Sequence, residues 1–178
     1  MAKSPPPPVT FIACAAGSEV DRARLLHTLG QALHPGDEAL VADGSYGPVA
    51  SVSAASCPPG VTVLGMPDVT RAVAYDRLAL DAAHEALVFV GTGCAFSRAD
   101  MDRLRTRLST AMRGVVVSVP GPTGATVGLD GRAVLAVSRP VLRAVGGLAA
   151  TEDRARRVAA GFVGSSELFE VFVHEVRR

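Results

Sequence analysis

Four short stretches of this chain hold residues whose types and order could do chemistry. Asp43-Gly44-Ser45 follows the apolar run Glu38 to Ala42 and sets a carboxylate and a hydroxyl where that run ends. Gly91-Thr92-Gly93 follows a second run, Leu87 to Val90, and no carboxylate comes after it. The stretch from Ala136 to Gly147 carries Arg139 and closes on Gly146-Gly147. Glu152-Asp153 comes shortly afterwards, and His174 lies near the end. A positioned carboxylate such as Asp153 can take a proton from a hydroxyl. A Gly-Thr-Gly turn can hold phosphate on its backbone N–H groups, and Arg71, Arg98 or Arg139 can neutralise it. Each residue also has a plainer role. Asp43 suits an Asp-Gly turn, Gly91 to Gly93 suit a tight turn, Asp153 suits the acidic first turn of a helix, and His174 and Cys94 suit packing.

Generic motifs add little to this set. Gly91-Thr92-Gly93-Cys94-Ala95-Phe96 begins like G-x-G-x-x-G, but Phe96 stands at the third glycine, where helix and strand pack too closely for bulk. Gly121-Pro122-Thr123-Gly124 lacks the Gly-Lys-Ser/Thr of a P-loop, and Lys3 is the only lysine. No G-x-S-x-G elbow occurs. His, Cys and acidic residues are nowhere grouped at metal-ligand spacing.

The elements that must position these residues follow from periodicity. Pro5 to Pro8 predicts an extended, disordered lead-in over residues 1–8. Val9 to Ala15 reads as a first strand, and Ser18 with Asp21 opens a helix carrying Leu25, Leu26, Leu29 and Leu33. Glu38 to Ala42 and Val61 to Leu64 read as strands, Thr70 to Ala83 as a helix, and Leu87 to Val90 as the central strand. Ser97 and Asp100 form a second capping pattern, before a helix with Met101, Leu104, Leu108 and Met112. Val115 to Val119 and Ala133 to Val137 read as strands around the Gly/Pro-rich turn from Pro120 to Gly131. A helical turn spans Pro140 to Val145, an Arg-rich helix Thr151 to Ala160, and the Phe/Val pattern of Leu168 to Val176 favours a strand. Alternating strands and helices with an antiparallel-looking tail predict an α/β fold with a mostly parallel, mixed central sheet, in one domain over residues 9–178.

Bulk properties narrow the function classes. The chain has 178 residues, 48% hydrophobic and 20% charged, with a net charge of +1, so no global field favours nucleic acid or an anionic membrane. No Trp, two Tyr and six Phe leave few platforms for stacking bases. Cys14, Cys57 and Cys94 are isolated, which fits a reducing, cytoplasmic setting. No run reaches the roughly 18 apolar residues of a membrane span, and the N-terminus lacks a signal peptide's apolar core. The Ala-, Arg-, Val- and Gly-rich composition suits a GC-rich bacterial genome.

In their order, the four stretches resemble the family 2 glycosyltransferases, which have the GT-A fold, a Rossmann-like α/β/α sandwich. Those enzymes typically read V-V-D-D-G-S after the second strand, F-L-D-D-D at the central strand, R-x-x-L-x-x-V-G-G-F later, then E-D, and commonly a late histidine. The resemblance runs from Val9 to His174. It implies a nucleotide-sugar donor, a hydroxyl acceptor on a small molecule or glycan, and Asp153 as general base. It puts Asp43 and Ser45 near the base or ribose, and Glu152 in the donor site. Gly91, Thr92 and Gly93 stand where the family carries its metal-binding D-x-D acids, with Arg71 and Arg139 as nearby charge. His174 matches a histidine that can join an Mn²⁺ or Mg²⁺ site. The chain departs from the pattern at Ala42, which replaces the first of the paired acids, and at Gly91 to Gly93, which offer no carboxylate to a hard cation. It also stops close after His174, where family members continue into segments that shape the acceptor site. An open site, or one completed in a homodimer or by a partner enzyme, is therefore expected. An inactive binding or assembly module, and the same fold recruited to other chemistry in secondary metabolism, are the alternatives.

Overall fold

Strands apolar at every position must be covered on both faces, and that requirement organises this molecule. The computed structural model describes residues 7–15, 19–44, 57–91, 96–110, 115–118 and 134–158, together with Phe172 and Val176. Six strands form one sheet: β1 (Thr10–Ala15), β2 (Glu38–Asp43), β3 (Val61–Gly65), β4 (Ala86–Val90), β5 (Val115–Ser118) and β6 (Val134–Ser138). The helices with described bounds are α1 (Glu19–Ala32), α2 (Arg71–Asp81), α3 (Arg98–Thr110), α4 (Arg139–Val145) and α5 (Gly147–Val158). The strand order is β3-β2-β1-β4-β6-β5. The first four strands are parallel, and β6 runs antiparallel to both β4 and β5. The mixed, mostly parallel sheet expected from the alternation of elements is thus present.

Side chains alternate between the two faces with period two. Ile12, Cys14, Leu40, Ala42, Leu87, Phe89, Leu135 and Val137 point to a core shared with Tyr75 and Leu78 of α2, Leu142 of α4 and Leu148 of α5. Phe11, Ala13, Ala39, Val41, Val88, Val90, Val134 and Ala136 point to the other core, closed by Leu25, Leu26 and Leu29 of α1 and by Met101 and Leu104 of α3. Aromatic rings seal each core. Tyr75 meets Phe89 edge-on at 5.4 Å, and Phe11 stacks on Phe96 at 6.2 Å.

One correction concerns the tail. The Phe/Val pattern there favours a strand, yet Phe172 and Val176 are helical. Both join the core that α2 closes. Burial there overrides β-propensity, which is largely a measure of fit to a half-buried sheet surface.

Two polar locks hold the layers together. At the amino ends of the strands, Arg105 of α3 grips Asp37 in a two-armed ion pair. Its Nη1 lies 2.9 Å from Asp37 Oδ1, and its Nη2 bonds Oδ2. Both side chains are almost fully buried. The Asp37 carboxylate also accepts the N–H groups of His34 (2.7 Å) and Val9 (3.1 Å). Burial would raise the Asp37 pKa, but the guanidinium and the two N–H groups outweigh it and hold the carboxyl below its usual range. Arg105 also donates to the carbonyl of Pro7 at 3.3 Å, tying the end of the proline run to the sheet.

The second lock is at the α4–α5 corner. Gly146 (φ 87°) ends α4 and Gly147 (φ 88°) begins α5, both in left-handed conformations that side chains rarely adopt. The bend aims the first N–H groups of α5 at α2, where Asp76 accepts Leu148 N and Ala149 N, each at 2.8 Å. A Cβ on Gly147 would come within 2.6 Å of Asp76 Oδ2, whereas one on Gly146 would meet only Ala150 Cβ, at 3.6 Å. Burial raises the Asp76 pKa, and the two N–H groups oppose it only in part.

These locks generate two predictions. Because the Asp37 pKa is depressed, its stabilisation is fully present above the unfolded carboxyl value, about 3.9, and is lost as pH falls from there through the folded value. Acid unfolding followed by circular dichroism should show that loss in the native chain and a flatter profile in Asp37→Asn. Arg105→Ala, which strands a buried carboxylate, should cost about 3–5 kcal/mol in urea unfolding at neutral pH. At the corner, Gly147→Ala combines backbone strain with a disturbed cap and should cost about 2–4 kcal/mol. Gly146→Ala should cost less than Gly147→Ala by the same measurement.

Candidate functional site at the carboxyl edge of the sheet

In the parallel part of the sheet, the carboxyl ends of β1, β2, β3 and β4 lie along one edge. Asp43 is the last residue of β2, between Ala15 of β1 and Gly65 of β3, and is 4% exposed. A carboxylate so buried needs a partner. Arg22, in the first turns of α1, supplies one with Nη1 2.9 Å from Asp43 Oδ2. The Asp43 carbonyl accepts Met66 N at 2.8 Å, which fixes the start of the β3–α2 connection. Within that connection Asp68 takes a left-handed conformation, φ 62°, which aspartate tolerates better than most residues.

The connection delivers Thr70 and Arg71 to the same edge. Thr70 caps α2 by accepting Val73 N at 3.3 Å. Its hydroxyl donates to Glu152 Oε2 at 3.0 Å, bridging 82 residues of sequence. Glu152 is 8% exposed, and its neighbour Asp153 is exposed to solvent. Arg71 is the first residue of α2, and its carbonyl faces Cys14 Sγ at 3.9 Å. Burial pushes the Cys14 thiol up to about 12, against a small opposing effect of the Arg71 charge. Cys14 therefore stays a neutral thiol and packs rather than reacts. Further along the edge, β4 ends at Val90, whose carbonyl accepts the Tyr75 hydroxyl at 2.9 Å, and Gly91 follows, buried.

Asp43, Arg71, Gly91 and Glu152 are thus at one edge, with Asp153 next to Glu152 in the chain. Arg139 does not join them. Its strand, β6, is antiparallel, so Ser138 pairs with Ala86 at the amino end of β4, and Arg139 N donates to Glu85 O at 2.8 Å. Its guanidinium bonds the carbonyls of Ala82 and, at 2.7 Å, His84. Position after a strand places a residue at the ligand edge only when that strand is parallel to its neighbours, which explains the misplacement. Arg98 is likewise engaged elsewhere, on the carbonyl of Leu33. Ser45, Thr92, Gly93, Cys94 and His174 lie outside the described residues.

Three contributors had no clear sequence signal. Arg22 is one of two arginines on α1, and nothing in its spacing links it to Asp43. Thr70 could be read as a helix cap but not as a partner of Glu152. Asp76, whose carboxylate orients α5 and so Glu152, sits mid-helix without a motif.

The metal site fits poorly with these residues. Gly91 has no side-chain oxygen, and among the described residues no three of His, Cys, Asp and Glu gather as a metal site. Nor, among them, is any helix long and apolar enough to cross a membrane.

No model of a known protein family matches the chain, and no curated protein does. Solved structures do. The mannosyltransferase PcManGT from Pyrobaculum calidifontis, in complex with GDP-Man and Mn²⁺, superposes on 97% of this chain and 70% of its own, at 13% identity and a TM-score of 0.65. Residues 1–349 of S. aureus TarS, in complex with UDP-GlcNAc, match 77% of this chain and 47% of their own, at 12% identity and a TM-score of 0.58. The glycosyltransferase GlyE of Streptococcus pneumoniae TIGR4 matches 94% of this chain and 43% of its own, at 8% identity and a TM-score of 0.52. The chain thus spans about half the length of the TarS and GlyE structures. At such identities the likeness establishes the fold and nothing finer: this chain has the GT-A-like α/β fold of those glycosyltransferases.

Proposed function

We propose that the chain is a glycosyl-transfer domain that takes a nucleotide sugar at the carboxyl edge of its sheet and passes the sugar to a hydroxyl. The observation that carries this reading is the Thr70–Glu152 bond, which brings the acids of α5 to the edge where β2 and β4 end. Structural neighbours holding UDP-GlcNAc and GDP-Man support that class of donor. Asp43, fixed by Arg22, is suited to accept an N–H or O–H of the nucleoside, and Ser45, two residues on in the sequence, is a second candidate. Asp153, exposed beside buried Glu152, is the general base. It takes the acceptor's hydroxyl proton as the oxygen forms its bond to the anomeric carbon, and the bond from that carbon to the diphosphate oxygen breaks with inversion. Glu152 holds α5 against the start of α2 through Thr70, and Gly91, with no side chain, lets the sugar diphosphate approach the backbone closely.

A second reading, a binding or assembly module of the same fold without turnover, is favoured by Gly91, which brings no carboxylate to the end of the central strand. The two readings separate by experiment. With UDP-GlcNAc and GDP-Man as donors and a panel of hydroxyl acceptors, the transfer reading expects release of the nucleoside diphosphate coupled to glycoside formation. Asp153→Asn should slow transfer about a hundredfold or more, the usual contribution of a general base, with donor affinity measured separately by calorimetry. Full transfer by Asp153→Asn would remove that residue from the role. Donor binding with no transfer by the native chain would favour the module.

A further inference from the structure

Between the second half of α2 and α4 lies an open cavity of about 290 Å³. Ala79 and Leu80 line it from α2, Arg139, Leu142 and Arg143 from α4, and the glycine corner closes it. Small-molecule sites occupy roughly 300–1,000 Å³, so this one is at the lower end. Ala79 lies well beyond Thr70 on α2, roughly 13 Å along the helix, which separates the cavity from the carboxyl edge. Leu80 is 69% exposed, an apolar surface that folding has left in water. Asp76, the one acid among the lining residues, is occupied by Leu148 N and Ala149 N, each at 2.8 Å. Arg139 and Arg143 are one turn apart on the same face of α4. Arg139 gives its N–H groups to the carbonyls of Ala82 and His84, which are neutral and leave its charge uncancelled. Arg143 is exposed, and among the described residues no acid pairs with either arginine. Like charges at this spacing repel, and an anion beside them is attracted by both.

We infer that this cavity binds a small carboxylate with a short apolar body. The hydrocarbon lies against Ala79, Leu80 and Leu142, and the carboxylate meets the guanidinium of Arg143, with the charge of Arg139 one turn away. Burial of the hydrocarbon supplies affinity, and the fork of N–H groups on Arg143 selects a planar anion over a neutral or cationic head. No bond is made or broken. The site is independent of the nucleotide-sugar reading. Its occupant would bridge α2 and α4 beside the corner where Asp76 fixes the start of α5.

Titration of the full ¹⁵N-labelled chain with hexanoate, followed by amide NMR shifts, tests the inference, with 1-hexanol and hexylammonium as controls of equal length. The expected result is saturable shifts at Gly146, Gly147, α4 and the second half of α2. Hexanoate should bind about tenfold more tightly than 1-hexanol, the scale of a charge-assisted contact, and hexylammonium should not saturate. Arg143→Gln should remove that tenfold preference and leave 1-hexanol binding unchanged, and Arg143→Lys should recover part of it. Leu80→Ser should weaken hexanoate and 1-hexanol alike. Both side chains are exposed, so these variants keep the fold. Shifts that do not saturate with hexanoate, or that centre elsewhere, would overturn the inference. Equal affinity for hexanoate and 1-hexanol, or an unchanged preference in Arg143→Gln, would do the same. Shifts at this cavity from a short Leu- and Glu-containing peptide, with none from hexanoate, would also overturn it and point to a protein partner.

Discussion

The candidate site depends on one carboxylate that belongs to the scaffold. Asp76 accepts two backbone N–H groups at the start of α5, each at 2.8 Å. A helix start leaves such groups unsatisfied, and a buried one must find an acceptor. Here the acceptor sits on α2, so the direction of α5 is set by a different part of the chain. Gly146 and Gly147 exist to make that docking possible, since both take left-handed conformations and the second has no room for a Cβ beside Asp76. Glu152 lies one and a half turns further along α5. It meets Thr70 at the start of α2, so the two helices are pinned both at Asp76 and at the carboxyl edge of the sheet.

Polar chemistry is divided between the two ends of the sheet. At the amino ends, Arg105, Asp37, Arg139 and Arg98 are consumed by structure: a buried ion pair, backbone carbonyls and the entry of the chain into β1. At the carboxyl ends, Asp43 and Glu152 are buried but sit beside partly or fully exposed groups, Arg22 and Asp153. Rigid support at one end and reachable charge at the other is what a parallel sheet permits, because its helices return every strand start to the same edge. The antiparallel β6 breaks that pattern and carries Arg139 to the structural end.

Among the described residues, the carboxyl edge gathers no group of three side chains that could hold a metal. A hard cation would bring its own charge and require oxygen donors to hold it. The arrangement here offers glycine at the end of the central strand, an aspartate paired to arginine, and a second arginine at a helix start. The thiol of Cys14, close to Arg71 but deeply buried, stays neutral because loss of solvation outweighs the nearby positive charge.

Much of the architecture was legible in the chain itself. Apolar runs with helical patterns between them dictate a sheet covered on both faces. The Ser97–Asp100 pattern produces the expected reciprocal cap, with Ser97 N bonding Asp100 Oδ2 at 2.9 Å and Asp100 N bonding Ser97 Oγ at 3.2 Å. Asp43 at the end of β2 and Gly91 at the end of β4 were placed correctly because strand ends are local features. What local pattern could not supply was direction and partnership. Whether β6 ran with or against β4 decided the location of Arg139, and that follows from pairing across the sheet. Arg22 with Asp43, Thr70 with Glu152, and Asp76 with the start of α5 are contacts between residues 21, 82 and more than 70 positions apart. Beyond α5 the same limit applies, since Phe172 and Val176 favour a strand by residue type but are helical where a core is present to bury them. As far as α5, sequence determined which segments would be strands and helices and which ends would carry acids and glycines, because those depend on neighbouring residues. Tertiary structure alone decided which acids and arginines meet, because a buried charge is placed by whichever distant group can satisfy it.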